Sequence, residues 1–155
     1  MSPAAKLATA QRIPVLSFRL EGQYYGLFIE DVSEVAVLVE AVRVPDAPPA
    51  LMGIVNRHGE ALPLFDLRLL FSLPAPDLGG DALFIVATCA GQPVGLLVDE
   101  IFQVKYIASE ELRRPSGAGK VVQYIFSEEE RLLQILSLPV LLLPYLPAAE
   151  TDDAG

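Results

Sequence analysis

One histidine, His58, and one cysteine, Cys89, are the chain's whole supply of the two side chains most used for metal binding and for activating nucleophiles. They lie in unrelated segments, so a zinc centre of ordinary ligand count cannot be assembled from His and Cys. Carboxylates are plentiful and fall in groups: Asp31 with Glu34, Asp99 with Glu100, Glu110 with Glu111, and the run Glu128 to Glu130. Two carboxyls held at different pKa values can share acid and base roles. Most of these groups flank turns, however, where acidic side chains are solvated. Gly117-Ala118-Gly119-Lys120 lacks the leading glycine and the following Ser or Thr of a phosphate-cradling loop, and no nucleophile elbow raises a serine. His58 stands at a hairpin tip, where histidine serves more often as a surface contact than as a general base. The residues therefore point to no catalytic site, metal or cofactor. The expectation is a binding module and not an enzyme.

The segment that carries His58 organises the chain. Apolar runs Leu51–Val55 and Ala61–Phe65 flank the polar tip Asn56-Arg57-His58-Gly59-Glu60, the pattern of a hairpin. Pro63 interrupts the return strand, which predicts an edge strand or a bulge there. Asp66 is placed to cap a helical turn over Leu67–Phe71.

Composition narrows the class. The 155 residues suit one domain or two small subdomains. The hydrophobic fraction is 52% with a mean hydropathy of +0.43, yet no run reaches the ~20 apolar residues that span a bilayer. The longest apolar stretch, Leu132–Leu146, is broken by Gln134, Pro139 and Pro144. A net charge of −9 argues against nucleic acid and against anionic membrane surfaces. A lone cysteine permits no internal disulfide, and Met1–Arg12 has no continuous apolar core, so the expected compartment is the cytoplasm.

Taken in order, a tail at 1–14 precedes an alternating strand from Val15, with Leu16, Phe18 and Leu20 on one face. Gly22-Gln23 predicts a turn, and Tyr24–Ile29 returns. Ile29–Val39 is rich in β-branched residues and is expected to be extended. Pro48-Pro49 predicts a helical turn over Pro49–Met52. After the central hairpin, Leu73–Asp81 is a loop. Ala82–Thr88 is a strand buried on both faces, Gly91-Gln92-Pro93 a turn, and Val94–Val98 and Asp99–Tyr106 further strands. Glu110–Lys120 is a loop, and Val121–Phe126 with Leu132–Leu136 a last hairpin. A short helix over Leu138–Leu146 precedes an acidic tail at 147–155, which leaves residues 15–146 as the folded domain.

An internal repeat runs through this order. Gly22-Gln23, Gly26-Leu27, Val32 and Val35 align without gaps on Gly91-Gln92, Gly95-Leu96, Ile101 and Val104. Ile54-Val55, Leu62, Leu64 and Leu67 have counterparts in Ile125-Phe126, Leu133, Ile135 and Leu138. Strand-rich halves joined by short turns predict an all-β protein of two small barrels side by side.

Gly53-Ile54-Val55-Asn56-Arg57-His58-Gly59, followed by Leu62-Pro63-Leu64-Phe65-Asp66-Leu67, resembles the signature hairpin of the chemotaxis coupling-protein (CheW-like) family. Phe18-x-Leu20-x-Gly22-x-x-Tyr25-Gly26, Val32-x-Glu34-Val35, Val44-Pro45, and Gly95 to Val98 with Asp99, Ile101 and Val104 follow in that family's order, from about Val15 to Leu143. The resemblance implies two five-stranded SH3-like barrels sharing an apolar core. It also implies a non-catalytic adaptor between chemoreceptor cytoplasmic tips and the regulatory domain of a chemotaxis-type histidine kinase. The output could be flagellar, twitching or another sensory pathway, and the rival reading is a divergent barrel module that has lost array binding.

By position, the receptor-facing residues implied by the resemblance are Val32, Glu34, Gly53, His58, Gly95, Ile101 and Val104. Those implied for the kinase face are Leu16, Ile29 and Val32. The plain alternative for each aliphatic residue is core packing. Two departures stand out. The family's Leu-Arg pair at the hairpin tip is Arg57-His58 here; Arg57, one residue back in an extended segment, is expected to point away, so that either Glu34 and His58 form a weaker, pH-sensitive pair or receptor contact here is altered or lost. In the last hairpin, Tyr124 replaces a usual glycine and Ser137 a usual aspartate.

Overall fold

Three tight two-residue turns set the hairpins of the first half and the middle of the chain. Glu21-Gly22, His58-Gly59 and Ala90-Gly91 each place both central residues at positive φ, from 50° to 84°. This mirror-image turn matches the right-handed twist of the strands it joins, and glycine at its second position meets the demand without cost. The turns expected at Gly22-Gln23 and Gly91-Gln92-Pro93 therefore begin one residue earlier, because the glycine must be the second turn residue.

The computed structural model describes residues 11–38, 40–74, 82–117 and 120–146. The expected tails at 1–14 and 147–155 lie outside these residues, except for 11–14. The first strand begins at Arg12, not Val15. Ten strands follow in chain order: β1 Arg12–Leu20, β2 Gln23–Phe28, β3 Val32–Val37, β4 Leu51–Arg57, β5 Glu60–Asp66, β6 Leu83–Cys89, β7 Gln92–Leu97, β8 Glu100–Ala108, β9 Val122–Glu128 and β10 Arg131–Leu136. A helical turn α1, Leu67–Leu70, follows β5, and α2, Leu138–Leu142, follows β10.

The strands form two five-stranded sheets. The first, sheet A, has the order β8-β1-β2-β10-β9, and the second, sheet B, has the order β3-β6-β7-β5-β4. The repeat is visible in every pairing. The parallel pair β5·β7 matches Leu64 to Gly95, and its counterpart β10·β2 matches Ile135 to Gly26. The isolated bridge Val42↔Ile54 has its counterpart in Arg113↔Ile125. Neither half makes a sheet alone, however. Sheet A takes β1 and β2 from the first half and β8 to β10 from the second, and sheet B takes the remainder. The two barrels are interlocked by exchange.

Between the sheets lies one apolar core that includes Phe18, Leu20 and Leu27 from sheet A and Phe65, Ile85 and Leu96 from sheet B, with Leu67, Leu138 and Leu142 from the helical turns. Cys89 is fully buried in it, and that burial, with the charge of Asp31, pushes its thiol pKa up. Smaller clusters fill each barrel: Ala36, Val55, Leu62, Leu64, Phe84, Val86 and Leu97 in one, and Val15, Ile107, Leu133 and Ile135 in the other. Burying a side chain of Leu or Phe size is worth roughly 1.5–3 kcal/mol, so exchange ties the stability of each barrel to the other.

Both helical turns start as the repeat requires. The Asp66 carboxylate accepts from the Arg68 backbone N–H at 3.0 Å, and Ser137 Oγ accepts from the Val140 N–H at 3.4 Å. Serine in place of aspartate thus keeps the cap. The helix expected through Leu146 stops at Leu142 and continues as a 3-10 turn over Leu143–Tyr145 containing Pro144. Ile29–Asp31 is a 3-10 turn and not extended chain. No helical turn forms over Pro49–Met52: the Leu51 N–H closes a turn on the Pro48 carbonyl, and β4 starts at once.

Pro63 does not lie on an edge, since β5 has neighbours on both sides. It sits opposite Ile54, whose N–H and C=O both bond to Val42 and so point away from β5. The absent Pro63 N–H would then face β7, where pairing begins only at Leu64. The proline occupies a position in an interior strand that needs no donor.

Candidate protein-interaction site

The outer strands of sheet B, β3 and β4, leave a seam that side chains close. Glu34 projects from β3 toward the end of β4. Arg57, the last residue of β4, donates from Nε and Nη2 to its two carboxylate oxygens at 3.0 and 2.8 Å. His58 Nε2 stands 3.7 Å from the same carboxylate and is 73% exposed. The expectation that Arg57 points away is therefore overturned. Alternation of side chains holds only within a strand, and His58, at φ 53°, already belongs to the turn. The arginine hydrogen bonds hold the Glu34 carboxyl below its ordinary pKa, with smaller contributions from the charges of Arg57 and His58.

The corresponding seam of sheet A lies between β8 and β9. There Lys105 Nζ donates to Glu128 at 2.8 Å, so the polarity is reversed: Glu128 occupies the counterpart of Arg57. A cleft of about 620 Å³ runs along this seam, its lining including apolar Ile101, Val104 and Leu133 and charged Lys105, Glu128 and Arg131. Arg131 lies over the Tyr24 ring at 4.4 Å.

The other residues singled out in the sequence fall into two groups. Val32, Ile101, Val104 and Ile29 are half-buried and pack against the shared core, each keeping part of its apolar surface at solvent. Leu16, Gly53 and Gly95 offer no such surface. Leu16 is 5% exposed and lies within the shared core, so its place on a kinase face gives way to core packing. A Cβ at Gly53 would lie 2.5 Å from the Val42 carbonyl oxygen, and one at Gly95 would lie 2.9 Å from Leu64 Cδ1. Both glycines are buried and serve close packing; as side-chain contacts they contribute nothing.

Sequence reasoning missed a second polar network. Buried Arg68 donates to both oxygens of buried Asp66, from Nε at 2.9 Å and Nη2 at 2.8 Å, and Nη1 reaches Asp99 at 3.4 Å. Asp99 also accepts from the Glu21 backbone N–H at 2.7 Å and lies 3.8 Å from Arg19. The network ties α1 to the crossover between β7 and β8 and to the β1–β2 turn. The signal was present as Asp66-x-Arg68 inside an apolar run, where an unexplained charge pair implies burial together.

Two interlocked five-stranded barrels with a bridged seam and half-buried apolar side chains define an interaction module. Residues 14–143 match the CheW-like domain, and the chain belongs to that family. It is 27% identical to the chemotaxis protein CheW of Bacillus subtilis over 137 residues, covering 85% of this chain and 86% of that one. It is 28% identical to a probable chemotaxis protein CheW of Rhizobium etli over 71% of each chain. The crystal structure of the scaffolding protein TtCheW from Thermoanaerobacter tengcongensis superposes with a TM-score of 0.77 at 28% identity, covering 85% of this chain and 92% of that one. Among the described residues, no helix is long and apolar enough to cross a membrane.

Proposed function

We propose that this chain is a non-catalytic adaptor of chemotaxis-type signalling, working in the cytoplasm. One face holds the cytoplasmic tip of a chemoreceptor and another holds the regulatory domain of a chemotaxis-type histidine kinase. The observation that carries the reading is the match of residues 14–143 to a family whose relatives are chemotaxis and scaffolding proteins.

The architecture supplies a mechanism. Strand exchange makes each barrel depend on both halves of the chain, so a partner bound to one barrel is held rigidly relative to a partner on the other. An adaptor of this kind transmits a receptor change as geometry, and the coupling is reciprocal. On the receptor side, Glu34 and the Arg57 bridge provide oriented charge beside the tip residue His58, while Val32, Ile101 and Val104 provide apolar surface for the stripe of a helical tip. On the kinase side, Ile29 and Val32 are the candidates that retain accessible surface.

Co-sedimentation of the chain with receptor cytoplasmic fragments and kinase tests the reading: both should pellet with it, and binding to neither would sink the proposal. Ile29→Asp should abolish kinase association with circular dichroism unchanged. Unfolding of that variant would move Ile29 from the interface to the core.

A further inference from the structure

The two halves of the repeat differ where each parallel strand pair ends. In sheet B that end is sealed by the chain's own Arg68, 3% exposed and bridging Asp66 on the helical turn to Asp99 on the β7–β8 crossover. In sheet A the counterparts of these three residues are Pro139, Ser137 and Glu30. Ser137 caps α2 as Asp66 caps α1. Glu30 lies on the crossover from β2 to β3 as Asp99 lies on that from β7 to β8. The proline ring cannot reach across as an arginine does. What remains is a cleft of about 500 Å³ lined by Glu30, Asp31, Gln123, Tyr124, Ser137 and Pro139, among others.

The charges in this cleft are unbalanced. Asp66, Asp99, Glu100, Glu34 and Glu128 all engage cations. Among the described residues, Glu30 and Asp31 have no ion pair and no side-chain hydrogen bond. Partial burial, and then the neighbouring charge of Glu30, push the Asp31 carboxyl above its ordinary pKa, the reverse of what a nearby cation would do. Arg114 is committed elsewhere: it lies over the Tyr124 ring at 4.8 Å and donates to Tyr124 Oη at 3.1 Å.

We propose that this cleft receives an arginine side chain from a partner protein, its guanidinium lying against Glu30, the counterpart of Asp99, and against the neighbouring Asp31. Arginine fits better than lysine because the internal precedent uses a planar fork of donors on two separate carboxylates. The inference rests on the adaptor reading and gives the chemistry of its kinase face, since Ile29 adjoins Glu30 in the same 3-10 turn.

Two variants test it by calorimetric titration with the kinase regulatory domain and, separately, with a receptor cytoplasmic fragment. Ser137→Asp with Pro139→Arg rebuilds the internal plug of sheet B in sheet A. Glu30→Gln with Asp31→Asn removes the charge without filling space. Each should weaken kinase binding about tenfold or more and leave receptor binding unchanged. Should the plugged variant fail to fold, the carboxamide pair decides alone. Unchanged kinase affinity in a folded variant overturns the arginine site and leaves the adaptor reading standing. A wild-type chain that binds neither probe overturns both.

Discussion

Arg57 and Glu34 meet across the open seam of sheet B with two nitrogens on two oxygens, at 3.0 and 2.8 Å, while the histidine beside them stays 3.7 Å away. The positive charge at the hairpin tip is thus carried by the strand's last residue, not by the turn. If receptor recognition reads that charge, Arg57→Ala should lower receptor-fragment affinity about tenfold and His58→Ala by much less. Thermal stability should change little in either variant, because the seam is largely solvated. His58→Arg should strengthen binding only if a second guanidinium finds Glu34 beside the first. Titration calorimetry on the three variants decides the matter, and equal losses for Arg57→Ala and His58→Ala would return the histidine to the centre of the site.

The same pair fixes a pH dependence. Hydrogen bonds from Arg57, followed by its charge and that of His58, hold Glu34 below its ordinary value of 4.5. A carboxyl depressed in the folded state contributes stability above its unfolded pKa, and that contribution is lost as pH falls through the folded value. The seam should therefore be intact at neutrality and lose its bridge only on acidification below 4.5. Arginine keeps its proton throughout. Carbon-detected NMR titration of the Glu34 carboxyl should show a single transition in that acid window. A midpoint above 4.5 would mean that the Arg57 bridge does not hold the Glu34 carboxylate.

These two residues also mark how far the sequence could be read. The repeat, the hairpin at Leu51–Leu70, the Asp66 cap and the all-β class follow from local patterns, each spanning a few residues. Which half supplies which strand does not. Val32–Val37 would alternate in the same way whether it paired within its own half or, as it does, with Leu83–Cys89. The choice is made by long-range packing, to which period-two patterning is blind. Arg57 was misplaced for a related reason, since alternation was carried one residue past the strand into a turn. For Leu16, Gly53 and Gly95, spacing alone cannot tell a position that packs from one that touches a partner.

Arg68 offers a sharper test of what the interior tolerates. Its guanidinium and the Asp66 carboxylate are 3% and 1% exposed, so removing the arginine leaves the Asp66 carboxylate buried without its charge partner. Arg68→Ala should destabilise the chain by about 3–5 kcal/mol, lowering the melting temperature by on the order of 10 °C. Replacing both, as Asp66→Asn with Arg68→Met, should recover most of that loss, because a buried pair is often no better than apolar residues of similar volume. Thermal denaturation of the single and double variants distinguishes the cases. A double variant no more stable than Arg68→Ala would show that the contact with Asp99 on the β7–β8 crossover, and not the pair itself, is what holds the barrels together.

The two buried glycines of the signature should fail in different ways when a methyl group is added. At Gly53 the new Cβ would meet backbone, 2.5 Å from the Val42 carbonyl oxygen and 3.0 Å from its carbon. Relief requires β4 to part from Val42, which breaks the reciprocal bridge in which Val42 and Ile54 exchange two hydrogen bonds of 2.8 Å. At Gly95 the nearest atom is the end of a leucine side chain, Leu64 Cδ1 at 2.9 Å, with Phe84 ring carbons at 3.1 and 3.3 Å. A leucine methyl can swing aside. Gly53→Ala should thus cost about 2–3 kcal/mol and Gly95→Ala about 1 kcal/mol, within the usual range for overpacking, as read from urea midpoints. Receptor and kinase affinities, corrected for the folded fraction, should be unchanged for Gly95→Ala. A Gly95→Ala protein that unfolds normally but no longer binds would restore Gly95 to the interface and show that a partner approaches the β7 backbone itself.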